Sequence, residues 1–298
     1  MQNFLAVSVL VTSTSVFPQD PYVAWGDARI VEIRRQMRER MSPAEAELER
    51  SISYRVVDSG GVNAVAVPIW TNGHREILVS SSLLWLIDSI VTLETVSVLW
   101  NKIDCISSYL DYIQSTINSN GVLALEGHEG SHLQAPFPFM TSHPSICPKV
   151  SPDVIDNNVR QADSIRSAVI LQSIKWVLLH EFAHHLHRDV HSNRDFASDR
   201  DQERNADSYA TVAMLHPPED PIQAAGVILL FCSLEGFRTD SQKGDHPTGV
   251  ERLKAMVDAS RSSPVFQGVL HQATASQRAR IEAGLDALEK LSAGVPSQ

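Results

Sequence analysis

"LLHEFAHHLHRD", residues 178–189, sets four histidines and one glutamate among leucine, phenylalanine and alanine. At helical spacing His180 and His184 lie one above the other on a single face, so both rings can reach one ion. Glu181 follows about 100° further round, where it can meet a water at that ion without being a ligand. Phe182 and Ala183 point elsewhere and are apolar, as a helix packed into a core requires. The apolar period continues upstream and predicts a long helix from about Asp156 to His187, with Ile165, Val169, Ile174, Val177 and Leu178 facing inward. The blander alternative is a solvated helix end, where histidine suits the C-terminal dipole.

Two histidines leave a zinc ion short of the three protein ligands that a catalytic site uses. "DQERNADSYA", residues 201–210, supplies a third candidate on the next expected helix, about 201–215. Glu203 lies 19 residues after His184, and a helical hairpin would bring the two together. Asp207, four positions on, shares its face and is placed to accept the free ring N–H of a ligand histidine. Small Ala206 permits close helix packing. Without a metal, Glu203 reads as an exposed carboxylate favoured at a helix start.

A third element is "HPTGVERL", residues 246–253. His246 precedes Pro247 at an expected helix start. It reads either as an oxyanion or substrate contact or as a surface histidine, and the sequence leaves both open. Arg252 reads as structural, pairing with an acid of the Glu203 helix. His185, His187 and His191 are expected at the surface or beside the ligands. Nothing in the spacing of His128, His132 and His143 demands a role.

The rest of the chain divides by pattern. Residues 28–50 are charged and helix-forming, with a stop and restart at Ser42-Pro43. "GVNAVAVPIW" and "REILVSS" flank Asn72-Gly73 and predict a β-hairpin over 62–80, with Pro68 marking the first strand as an edge. From Ser82 to about Ile117 the spacing is helical. Residues 126–153 hold five prolines and read as an irregular connection. Further helices are expected at about 221–236, 247–260 and 276–291. The fold class is therefore α+β, mostly helical, with a small N-terminal antiparallel sheet. Residues 1–150 form an N-terminal α/β part with helices to 118, and 151–298 a helical core, as two domains or one continuous domain.

Composition narrows the function classes. The chain has 298 residues, 43% of them hydrophobic, enough to bury a core. Its net charge of −10, with no basic cluster, argues against a nucleic-acid partner. Three scattered cysteines without a CxxC argue against a disulfide framework and a thiolate zinc site, and suit a reducing cytoplasm. They read as small buried apolar residues. The apolar start, residues 1–18, lacks a basic segment and a small-residue cleavage site, so it reads as something other than a signal peptide. No run is long and uncharged enough to span a membrane. Oligomeric state is not legible.

HEFAH, ERNAD and HPTGVER together resemble the gluzincin metallopeptidases related to the membrane-bound CAAX prenyl and heat-shock proteases. A nearer likeness is to the soluble Lit-type phage-exclusion peptidases. It includes "HREILVSSSLLWLIDSIVTLETVSVLW" at 74–100, "ICPK" at 146–149, "KWVLLHEFAHH" at 175–185 and "ERNADSYAT" at 203–211, in the same order. The resemblance implies a cytoplasmic, zincin-like zinc endopeptidase, quiet until a phage-derived activator is present. It would then cut a host translation elongation factor. Carried over by position, His180, His184 and Glu203 would hold Zn²⁺, and Glu181 would be the catalytic carboxylate. Two rival classes remain: a zinc-binding sensor or regulatory protein without hydrolysis, against which the intact Glu181 speaks, and a cell-envelope quality-control protease.

Overall fold

The computed structural model describes residues 20–58, 62–67, 74–100, 102, 104–125, 130–149, 152–187, 196–215 and 247–275, with seven further positions between 278 and 289. The chain divides into two units, Met1–Ile170 and Leu171–Gln298.

In the first unit, α1 (Asp20–Arg38) buries Ile30, Ile33 and Met37 at spacings of three and four, the stripe of an amphipathic helix. The expected restart holds. The Ser42 hydroxyl accepts from the Glu45 N–H and the Glu45 carboxylate accepts from the Ser42 N–H, with Pro43 opening α2 (Pro43–Arg50). Fully buried Glu49 sits between Arg34 at 2.5 Å and Arg38 at 2.9 Å, which offset the loss of its hydration.

Three strands follow, β1 (Ile52–Val57), β2 (Ala64–Val67) and β3 (Arg75–Ser80), in the spatial order β1-β3-β2. The expected hairpin pair is present: β2 runs antiparallel to β3 from Ala64↔Val79 to Val67↔Glu76, and β2 is an edge strand. Pro68 and the Asn72-Gly73 turn lie outside the described residues. Unexpectedly, β1 joins the sheet parallel to β3, from Ile52↔Arg75 to Val57↔Ser80. The sheet is therefore mixed rather than antiparallel. Parallel neighbours need a long return, and residues 58–74, which include β2, supply it. Gly26 lets α1 approach closely: a Cβ there would lie 2.3 Å from Leu84 Cδ1 and 2.8 Å from Val56 Cγ2.

β3 passes directly into α3 (Ser81–Leu99), where the Ser80 hydroxyl accepts from the Leu83 N–H at 3.1 Å. Leu83, Leu84, Leu86, Ile87, Ile90, Leu93 and Val96 are all buried, so α3 is apolar nearly all round and forms the middle of this unit's core. The helical pattern read over 82–117 is two helices, since α4 (Asp104–Leu125) restarts at Asp104, an acid that suits a helix N-terminus. The proline-rich connection contains a short helix, α5 (Pro136–Ser142), because Pro136 occupies a first-turn position that needs no N–H. Tyr109 donates to the Gln134 carbonyl at 2.8 Å, and Asn120 bonds both backbone groups of Ser131. Cys105 and Cys147 are buried as expected but are joined in a disulfide, against the expectation of unpaired thiols. Their wide sequence separation of 42 residues hid the pairing, which α4 and the turn after α5 create in space. Cys232 lies outside the described residues.

Helix α6 (Pro152–His187) ends where the sequence predicted, and its residues from Leu171 onward belong to the second unit. There Ile174, Val177, Leu178, Phe182 and Ala183 are buried. α7 (Phe196–Ala213) starts five residues earlier than expected and buries Ala206 and Ala210. α8 (Gly249–Ser262) opens with a capping box between Thr248 and Glu251 and buries Leu253, Met256 and Val257. α9 (Pro264–Gln272) follows. The expected helix at 221–236 lies outside the described residues, and the described positions of 276–291 are helical. Among the described residues no helix is long and apolar enough to cross a membrane.

Candidate metal centre

The last turns of α6 and the middle of α7 bring together four of the residues singled out in the sequence. His180 and His184, one turn apart on α6, face Glu203 and Asp207, one turn apart on α7. Small Ala206, fully buried between the two acids in sequence, leaves room for the close approach.

Both ring nitrogens approach the Glu203 carboxylate, each at a different oxygen. His180 Nε2 and His184 Nε2 are 3.2 Å apart. Glu203 Oε2 lies 3.2 Å from the first and Oε1 lies 3.3 Å from the second. Ligand atoms about 2.0 Å from a tetrahedral zinc stand about 3.3 Å from each other. One imidazole nitrogen from each ring and one carboxylate oxygen all lie within 4.8 Å of one another, and they have the donor chemistry of a three-ligand metal site.

Asp207 and Arg252 complete the surroundings. Asp207 Oδ1 stands 2.9 Å from His180 Nδ1, off the line of an ideal N–H bond. The buried Arg252 of α8 reaches Asp207 Oδ1 at 3.0 Å and Glu203 Oε2 at 3.3 Å. It also approaches the Pro247 carbonyl at 3.5 Å. One guanidinium against two carboxylates leaves a net negative charge, which complements a divalent cation. Burial pushes the His180 imidazole down, but Asp207 and Glu203 outweigh it and hold its pKa up at about 10.

Glu181, 8% exposed, has no hydrogen-bond or ion-pair partner among the described residues. His246 lies outside the described residues, so neither of its two readings is decided. His185 is buried, which excludes the surface and leaves the other place expected for it, beside the ligands; His187 is exposed, with its ring edge-on to Tyr209 at 6.3 Å. His191 and His128 fall outside the described residues. His143 stacks on Phe139 at 4.1 Å and is part of the packing in the first unit. His132 contributes its backbone carbonyl to a 3.5 Å contact from the Tyr112 hydroxyl.

Comparison with known proteins adds one finding. Residues 136–265 match the model of the family Peptidase U49. The match supports a proteolytic enzyme, and the matched stretch contains His180, Glu181, His184, Glu203, Asp207 and Arg252. No curated protein and no solved structure matches the chain. Trp176, one turn before His180, is a neighbour of the centre that sequence reasoning missed; its place four residues upstream on the same face was the available signal.

Proposed function

We propose that this protein is a zinc-dependent endopeptidase of the HExxH…E type that cuts a cytoplasmic protein target during phage exclusion. The observation that carries the chemistry is the triangle of His180, His184 and Glu203, supported by the peptidase family match. Two imidazole nitrogens stand 3.2 Å apart and face the two oxygens of one carboxylate. A shared cation satisfies all three at once.

His180, His184 and Glu203 would hold the ion, which when bound lowers the pKa of water to near 7 and polarises a peptide carbonyl. The protein's own residues do the proton work. Glu181 takes the proton from the attacking water and passes it to the departing amine as the C–N bond breaks. Asp207 fixes the His180 ring through Nδ1, and Arg252 steadies both acids of α7. His246 is assigned a supporting role at the developing oxyanion. Target and trigger come from the resemblance: a translation elongation factor as substrate and a phage-derived component as activator.

The direct test expresses the parent and Glu181→Gln in bacteria, with and without phage infection, and compares newly formed protein N-termini. The parent is expected to generate a discrete new N-terminus only on infection. Glu181→Gln should keep one zinc per chain and lose about 10²–10⁴-fold in cleavage rate. A variant as active as the parent would favour the sensor reading, in which zinc is held without hydrolysis.

One observation favours a second reading, a cell-envelope quality-control protease. The Cys105–Cys147 disulfide is of a kind kept in oxidising compartments. Alkylation of the protein isolated from its native host decides between them: three free thiols point to the cytoplasm, and one to the envelope.

A further inference from the structure

The contacts between α6 and α7 repeat with a fixed register. His184 meets Glu203 and His180 meets Asp207, each step of four along one helix matched by a step of four in the opposite direction along the other. The next step pairs Trp176 with Thr211, and that contact exists: the indole Nε1–H donates to the threonine hydroxyl at 3.3 Å. Both residues are nearly fully buried, Trp176 at 1% and Thr211 at 3%. On its other side Trp176 stacks on the His180 ring, with centroids 5.5 Å apart and planes 25° from parallel.

We propose that Trp176, anchored by Thr211, is a positioning residue for the metal centre: it fixes the plane of the His180 imidazole and the register in which α6 presents its histidines to α7. The inference rests on the metallopeptidase reading above. Three restraints act on the His180 ring. Asp207 holds Nδ1, the Glu203 carboxylate meets Nε2, and the indole covers a face. The two carboxylates act at the ring edge and leave rotation about the line joining the nitrogens unopposed. A flat neighbour across the face opposes that rotation. An aromatic ring in turn needs its own orientation fixed, and a buried indole N–H needs an acceptor. Thr211 supplies both from the helix that carries Glu203, so the bond couples the ring plane to the helix register. A leucine at 176 would provide neither.

The test uses the full-length protein loaded with Co²⁺ and compares Trp176→Leu, Trp176→Phe and Thr211→Val with the parent. Dissociation constants and the visible cobalt absorption are the readouts, and thermal midpoints report packing. Trp176→Leu is expected to bind cobalt about tenfold more weakly, in the range seen when groups supporting a ligand are removed, with a displaced visible band. Trp176→Phe keeps a ring face and should recover most of the affinity. Thr211→Val keeps the volume, removes the bond to the indole and should displace the band in the same direction as Trp176→Leu. A packing role alone would lower every thermal midpoint and leave affinity and band at the parent's values. That result would overturn the proposal. Should Trp176→Leu fail to fold, Thr211→Val and Trp176→Phe decide on the same readouts. A parent that binds no cobalt would instead sink the metal-centre reading itself, so the two failures are distinguishable.

Discussion

Asp207 and Arg252 show how much of this site rests on single groups that never touch a substrate. Asp207 serves two partners, the His180 ring and the Arg252 guanidinium. Replacing it with asparagine keeps the shape and removes the charge that favours a donating Nδ1. Asp207→Asn is expected to weaken zinc binding by about 10–100-fold, measured by competition with a chromophoric chelator. An unchanged affinity would show that the His180 ring is held without it. Arg252 is different in kind, since its single charge is shared between two acids at a buried place. Arg252→Met leaves them uncompensated, and removing one partner of a buried ion pair costs about 3–5 kcal/mol. Urea titration should therefore show a large loss of stability in the metal-free protein, with part of it regained when zinc is added. A loss below about 1 kcal/mol would mean that the acids reach water.

At the scale of elements, legibility followed local signals. The restart at Ser42-Pro43, the hairpin pair around Asn72-Gly73 and the end of α6 at His187 were all readable because each is written in neighbouring residues. β1 was not, although Ile52 and Val56 are buried. A six-residue strand in parallel pairing gains its stability from a partner 23 positions away, as in Ile52↔Arg75, and leaves a weak local trace. The Cys105–Cys147 bond was hidden for the same reason. The site residues on α6 and α7 were legible because metal chemistry demands specific residue types at helical spacing. Arg252 was half legible, its pairing expected but not its bridge across both acids. Trp176 was missed because an aromatic one turn from a histidine reads as ordinary core.

One element carries a cost that the sequence does not reveal. Glu94 on α3 is half-buried, and its loss of hydration raises its pKa to about 7 from 4.5. An acid raised in the folded state leaves stability untouched below about pH 4.5, where folded and unfolded chains are both protonated. Stability then falls as pH climbs towards 7 and levels off above it, because the unfolded chain ionises first. Glu94→Gln should therefore match the parent near pH 4 and exceed it above pH 7. The gain is expected to be about 1–2 kcal/mol, since some surface remains, at a scale of 1.4 kcal/mol per unit of pKa. Thermal midpoints measured from pH 4 to 9 check this; a constant offset would mean that Glu94 titrates normally.

For the whole molecule, the central claim is that distant segments of one chain build a single cation site. His180 and His184 come from one helix, Glu203 from the next, and Arg252 from a third. X-ray absorption at the zinc edge, on protein purified with trace zinc, tests this most directly. One zinc per chain, with two imidazole nitrogens and carboxylate oxygen at about 2.0–2.2 Å and the imidazole signal halved in His184→Ala, is the result expected. A chain that holds no zinc, or holds it through sulfur at about 2.3 Å, would contradict the account.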